Sequence, residues 1–214
     1  MNHVRVKICG LTRAEDVIAA VSAGADAIGF VFADSPRRIG TETAAQLAGY
    51  VPEEVLRVGL FMDQDLQQIQ RVVNAVPLDV LQFHGSEPES VCKSFGLPYL
   101  KAVVMDDVES AKQAERDYPT TMGLVLDSHR YGKPGGSGKV FDWSLAGAVS
   151  KPVWLAGGLN AGNVAAAIRA VRPYAVDVSS GVESKPGIKD ADRINAFIKA
   201  SKAVENDQLD NGLR

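Results

Sequence analysis

Cys9 ends a short apolar run, VRVKIC (4–9), and is followed at once by Gly10. The only other cysteine, Cys92, lies within a helical pattern and reads as packing. Free cysteines usually serve as small core residues. Placement at a strand end beside a glycine weighs against that reading and makes a ligand-facing thiol the competing one. Asp127 ends a second apolar run, GLVLD (123–127). A carboxylate there is costly unless it is hydrogen-bonded, paired or functional. A helix cap or an ion pair with a lysine is the structural alternative. Arg37, in the segment SPRR (35–38), carries a guanidinium able to grip a carboxylate by two parallel hydrogen bonds. A solvated loop arginine is the plainer reading. LAGGLN (155–160) and DVSSGVE (177–183) are glycine-bearing segments in which backbone amides can approach an anion, with a helix start adding a favourable dipole. Gly157, Gly158, Ser180 and Gly181 are the candidate phosphate-binding residues. A third segment, GKPGGSGKVFDW (132–143), reads as a lid or wall of the same pocket. His3, His84 and His129 form no metal-ligand spacing and the cysteines form no CxxC, so no metal site is expected. His84, at a strand end, is expected to line the pocket.

These side chains act together only if the backbone gathers them. Eight runs read as strands: residues 4–9, 27–32, 56–61, 79–83, 99–104, 123–127, 152–156 and 175–179. Segments with apolar residues at helical spacing lie between them. They are 44–50, 66–76, 88–95, 110–116, 163–171 and 191–202, with a short, weak one near 143–148. Thr12-Arg13-Ala14-Glu15 opens the first helix as a capping box. Strands alternating with helices pair in parallel, because each crossover needs a helix. An open doubly wound sheet competes with a closed (β/α)8 barrel, and eight repeats in about 200 residues favour the barrel. Its site belongs at the carboxyl ends of the strands. Alternation along each strand then puts Lys7, Cys9, Asp127, Asp177 and Ser179 on the lumen side. A lysine buried there needs a partner, and Asp177 is the candidate.

The 214 residues suit a single domain, residues 1–203, with a polar tail at 204–214 expected to fray. A net charge of −3 excludes general attraction to nucleic acid or an anionic membrane. No apolar run nears the roughly 18 residues of a membrane span. The amino terminus lacks the layout of a signal peptide. A cytoplasmic protein with two reduced thiols and no disulfide is expected.

KICGLT, GFVFADSPR, QFHG, GLVLDS, GGSGKVFDW, LAGGLNAGNV and VDVSSGVE, in order from residue 7 to 183, resemble the signature segments of the phosphoribosylanthranilate isomerase family of tryptophan biosynthesis. Phe83 departs from the leucine common in that family, on the side expected to face the helices. The loop before Arg37 is slightly short, which leaves Arg37 and Arg38 both open as carboxylate ligands. The resemblance implies a (β/α)8 barrel and an Amadori rearrangement of N-(5-phosphoribosyl)anthranilate to 1-(2-carboxyphenylamino)-1-deoxyribulose 5-phosphate. It implies no cofactor and no metal, and a small phosphosugar substrate as the partner of a monomer or homodimer. By resemblance, Cys9 is the general base, Asp127 the general acid, Arg37 the carboxylate ligand, and the two glycine segments the phosphate site.

That chemistry needs a proton delivered to the ring oxygen and another removed from C2. A carboxyl of pKa ~3.9 is protonated about once per thousand at pH 7, and a thiol of pKa ~8.5 is only ~3% ionised. Asp127 is therefore expected to be desolvated or near another negative charge, which raises its pKa. Cys9 is expected to be shifted modestly down by a cation such as Lys7. Two other readings compete: Lys7 as a Schiff-base nucleophile in an aldolase-type barrel, and a phosphosugar-binding barrel without turnover. Borohydride in the presence of a carbonyl substrate traps a covalent adduct at Lys7 only under the first of these.

Overall fold

Every crossover between successive strands passes through a helix or a helical turn, which returns the chain to the same edge and makes all pairing parallel. The structure is a computed structural model and describes residues 4–105, 107–127 and 142–211. Eight strands, β1 (Arg5–Cys9), β2 (Ala27–Val31), β3 (Leu56–Phe61), β4 (Val80–Phe83), β5 (Tyr99–Val104), β6 (Gly123–Asp127), β7 (Val153–Leu155) and β8 (Ala175–Val178), pair in sequence order into a closed barrel. The helices are α1 (Ala14–Ser22), α2 (Thr41–Ala48), α3 (Leu66–Ala75), α4 (Glu89–Cys92), α5 (Val108–Asp117), α6 (Val164–Val171) and α7 (Ala191–Asn211). Between β6 and β7 the helical element is a 3-10 turn, Trp143–Ala148, in keeping with its weak pattern. The fold is a (β/α)8 barrel. Closure comes from β1 against β8, where Lys7 stands opposite Asp177.

Strand alternation divides the core in two. Ile8, Phe30, Phe61, Phe83 and Val176 pack outward against the helices. Ala27, Val58, Leu100, Val125 and Trp154 fill the lumen. Phe83 stacks between Phe61 and Phe95, with centroids 6.0 and 6.1 Å away, so its extra bulk is absorbed on the helix side and leaves the lumen alone.

The structure departs from the local sequence pattern in two places. The capping box does not form: Arg13 occupies the cap of α1 without a side-chain bond, and Thr12 Oγ1 donates instead to Gly187 O at 2.5 Å. A tertiary acceptor has taken the hydroxyl that the helix end would have used. Val204 is buried, and α7 runs to Asn211. A hairpin absent from the strand pattern follows β8: β9 (Glu183–Lys185) and β10 (Ile188–Lys189) pair antiparallel around a Pro186-Gly187 turn.

A buried ion pair also sits outside the lumen. Lys101 on β5 faces the helices, with Nζ 3.1 Å from Glu87 Oε2 and 5.2 Å from the Tyr118 ring centre. It also donates to Gly85 O. Glu87 Oε1 accepts from Asp63 N at 2.7 Å, which ties together the loops after β3 and β4. Glu87→Ala should lower unfolding free energy by ~3–5 kcal/mol, because a buried ammonium loses its counter-charge. The Glu87→Leu/Lys101→Met double variant should recover most of that loss, and urea denaturation of both measures it.

Candidate active site

Cys9 is the last residue of β1 and shares the lumen-facing parity of Lys7. Its side chain is buried against Val31 and Ala33, with Leu60 and Met62 alongside. Gly29, the register partner of Cys9 on β2, makes the room: a Cβ there would lie 2.7 Å from the Cys9 sulfur. Lys7 is fully buried, and its Nζ donates to Asp177 Oδ2 at 2.7 Å. The pairing expected from strand parity is present. Asp177 Oδ1 is buried with no hydrogen-bond partner among the described residues, so an acceptor remains on the lumen side.

Gly10 explains the residue after the thiol. Its φ is +75°, a region that favours glycine. A Cβ would fall 2.6 Å from Arg37 Cδ and 3.2 Å from Ser179 Oγ. The chain turns away from Cys9 through a slot only glycine fits, packed against Arg37 and Ser179.

Arg37 is buried while Arg38 is exposed, so only the first enters this cluster. Arg37 already holds a carboxylate. Nε donates to Glu183 Oε1 at 2.7 Å and Nη2 to Glu183 Oε2 at 2.8 Å. Lys189 shares the same carboxylate: its Nζ donates to Glu183 Oε1 at 2.9 Å and to Ser179 O at 3.0 Å. In sequence Glu183 figured only as the end of the glycine-bearing segment DVSSGVE, and Lys189 carried no signal of its own. The one usable signal was Pro-Gly flanked by short segments, a hairpin mark.

The two glycine segments meet. Gly157 and Gly158 have φ of +84° and +66°, and Asn163 Nδ2 donates to Gly158 O at 3.0 Å just before α6. Ser180 and Gly181 lie in a 3-10 turn after β8. A Cβ on Gly181 would stand 1.9 Å from Leu159 O, so the two loops touch backbone to backbone. Asp127 ends β6 half-buried, two strands beyond β8 around the ring, on the same face as the lumen residue Val125. His84, at the end of β4, meets the buried lumen residue Gln82 through its Nε2. The segment 132–141, His129 and His3 lie outside the described residues. Among the described residues no group of three His, Cys, Asp or Glu side chains could hold a metal ion.

Electrostatics correct two expectations. Burial pushes the Cys9 thiol up; Lys7 and Lys189 pull it back, Asp177 adds to the rise, and the net direction is upward. The expected downward shift is absent because desolvation of a thiolate outweighs two paired lysines. Burial alone would lower Lys7, but Asp177 and Cys9 outweigh it, and Lys7 ends raised. A Schiff-base lysine must lose its proton, so Lys7 is held in the wrong state for that role. Burial works against the Glu183 carboxylate, yet Arg37 and Lys189 hold it below the ordinary range.

A family model for N-(5'-phosphoribosyl)anthranilate (PRA) isomerase matches residues 6–200. The chain belongs to this family. The N-(5'-phosphoribosyl)anthranilate isomerase of Pseudomonas putida (strain W619) is 50% identical over 204 residues, 94% of this chain and 99% of that one. The solved phosphoribosyl anthranilate isomerase from Thermotoga maritima superimposes with a TM-score of 0.86 at 43% identity, covering 94% of this chain and 99% of that one. A second solved isomerase, in complex with reduced 1-(o-carboxyphenylamino)-1-deoxyribulose 5-phosphate, gives 0.82 at 40% identity over the same shares. The family's barrel is the fold described above, and its segments supply the strand ends that form this mouth.

The raised thiol has a measurable sign. Alkylation of Cys9 by iodoacetamide in the ligand-free protein should follow a midpoint above the ordinary cysteine value of about 8.5. Cys92, buried and pushed up to about 12, serves as the silent internal control. A Cys9 midpoint near 7, read by peptide mass spectrometry, would contradict the balance of burial over the two lysines.

Proposed function

We infer that this chain catalyses the isomerisation of N-(5-phosphoribosyl)anthranilate to 1-(2-carboxyphenylamino)-1-deoxyribulose 5-phosphate, the step its family performs in tryptophan biosynthesis. One observation carries the reading. In a chain of this family, the mouth of the barrel has a lumen-facing thiol, Cys9, with a buried guanidinium close to it across Gly10. The complexed relative supports the ligand class, since its ligand is a reduced form of that product.

In this reading the phosphate lies against the amides of Gly157, Gly158, Ser180 and Gly181, where glycine conformations and loop contact leave room for an anion. Arg37 receives the anthranilate carboxylate. Its Nε and Nη2 are engaged by Glu183, and Nη1, which has no hydrogen-bond partner among the described residues, is left for a second acceptor. Asp127 gives a proton to the ring oxygen. The C1–O bond breaks, and the nitrogen lone pair forms a C=N bond bearing positive charge. The thiolate of Cys9 then takes the C2 proton. The C–H electron pair becomes a C1=C2 bond, and the C=N electrons return to nitrogen. The enolamine so formed tautomerises to the ketone.

The order of these steps suits a thiol raised by burial. Positive charge created on the substrate nitrogen is one more cation near the thiolate, and it arrives when the thiolate has to act. Lys7, fixed by Asp177, acts as a permanent cation beneath the sulfur and not as a nucleophile.

Turnover is followed by loss of the substrate's anthranilate fluorescence. Cys9→Ala and Asp127→Asn should each lower kcat by ~100-fold or more, the usual scale for a general acid or base. Arg37→Ala should act mainly on KM. Near-normal rates in either of the first two variants remove that residue from its role, and failure to rescue a tryptophan auxotroph lacking the isomerase removes the activity.

A further inference from the structure

The hairpin after β8 has no counterpart in the strand-and-helix repeat, yet it sends two buried, charged side chains into the mouth. Glu183 opens β9 and Lys189 ends β10. Glu183 Oε1 accepts from Arg37 Nε, from Lys189 Nζ and, at 3.2 Å, from Gly187 N, while Oε2 accepts from Arg37 Nη2. Among the described residues Lys189 Nζ donates to Glu183 Oε1, Ser179 O and, at 3.3 Å, Ser179 Oγ. The hairpin is anchored from outside as well. Lys189 N donates to Asp16 Oδ2 at 3.1 Å, and Thr12 Oγ1 donates to the Gly187 carbonyl in its turn.

A ring of contacts closes around Gly10. Arg37 and Ser179 both crowd the position a Gly10 Cβ would take, and Glu183 with Lys189 link those two. Counting the neighbouring Lys7–Asp177 pair, three cations face two carboxylates in this buried set. One positive charge is left to be matched by an incoming carboxylate or by the ionised thiol.

We propose that Glu183 and Lys189 are positioning residues for the isomerisation: Glu183 locks the Arg37 guanidinium through its Nε–Nη2 edge so that Nη1 meets the substrate carboxylate, and Lys189 keeps Glu183 ionised while adding a second cation beside the Cys9 strand end. The proposal rests on Arg37 as carboxylate ligand and Cys9 as base. A buried arginine without Glu183 would keep its charge but lose its single orientation, since a guanidinium is directed by the acceptors it grips. A buried Glu183 without Lys189 would have one counter-charge in place of two. The charged groups around the Cys9 sulfur are Lys7 from β1, Asp177 from β8, Lys189 from β10 and Arg37 from the loop after β2. Lys189 is, with Lys7, one of the cations that oppose the effect of burial on the thiol.

The test uses the full chain with substrate formed in the cuvette, and compares Glu183→Gln, Lys189→Met, Lys189→Arg and Arg37→Ala. Glu183→Gln should raise KM by about tenfold or more, the scale of one lost oriented charge–charge contact, and by more than it lowers kcat. Lys189→Met should move the iodoacetamide midpoint of Cys9 further up and lower kcat, and Lys189→Arg should restore both. A purely structural role for the hairpin would leave the thiol midpoint where it was. The double variant Glu183→Gln/Lys189→Met removes both charges together and stays testable if a single variant fails to fold; its KM should rise as in Glu183→Gln. If Arg37→Ala raises KM while Glu183→Gln or the double variant does not, the positioning role is overturned and the clamp stands. If Arg37→Ala leaves KM unchanged, the clamp reading itself has failed. An unmoved Cys9 midpoint in folded Lys189→Met overturns the electrostatic half of the proposal.

Discussion

A charge sealed inside the barrel must be matched, and the rest of the mouth depends on how Lys7 is matched. Its ammonium group has no solvent and finds Asp177 at 2.7 Å, directly across the β1–β8 register. That contact lies on the seam where the first strand meets the last. One ion pair therefore sits at the closure of the barrel and sets the potential beneath Cys9. A buried pair of this kind adds little net stability against an apolar substitute, and losing one partner is severe. Its presence inside the lumen is explained by what sits above it and not by folding.

What sits above it is a thiol in conflict. Burial disfavours the thiolate, two lysines favour it, and Asp177 takes back part of what Lys7 supplies. A base that was fully ionised at rest would be a weaker proton acceptor. A base raised by burial stays strong, but it needs positive charge at the moment of reaction. The chemistry of the family creates that charge on the substrate. Geometry and mechanism agree here through the sign of one electrostatic balance.

Gly10 and the β9–β10 hairpin show how much backbone detail serves a few atoms. The slot beside the thiol strand is narrow enough that a single methyl group would strike Arg37. The hairpin reaches back from beyond β8 to hold that arginine by two hydrogen bonds, and α1 holds the hairpin. Loop, strand end and hairpin come from three separate regions of the chain, so their mutual fit is a property of the closed barrel alone.

Much of this was legible in the order of residues. Eight apolar runs separated by helical spacing determine parallel pairing, because parallel neighbours need crossovers, and their number favours a closed (β/α)8 barrel over an open sheet. Period-two alternation determines that Lys7, Cys9, Asp127 and Asp177 share the lumen side. The motif segments determine the family. Local pattern failed where a distant partner competed: Thr12 left its helix cap for the Gly187 carbonyl, and Glu183 and Lys189, polar residues around a Pro-Gly turn, were drawn into the interior. The direction of the Cys9 shift also came from the fold, since sequence names the nearby cation but not the depth of burial opposing it. The chain by itself determined which groups could meet at the barrel mouth. Tertiary structure decided which charges are desolvated there and which partner each one holds, because closing the barrel is what brings Lys7 to Asp177 and Arg37 to Glu183, residues 170 and 146 positions apart.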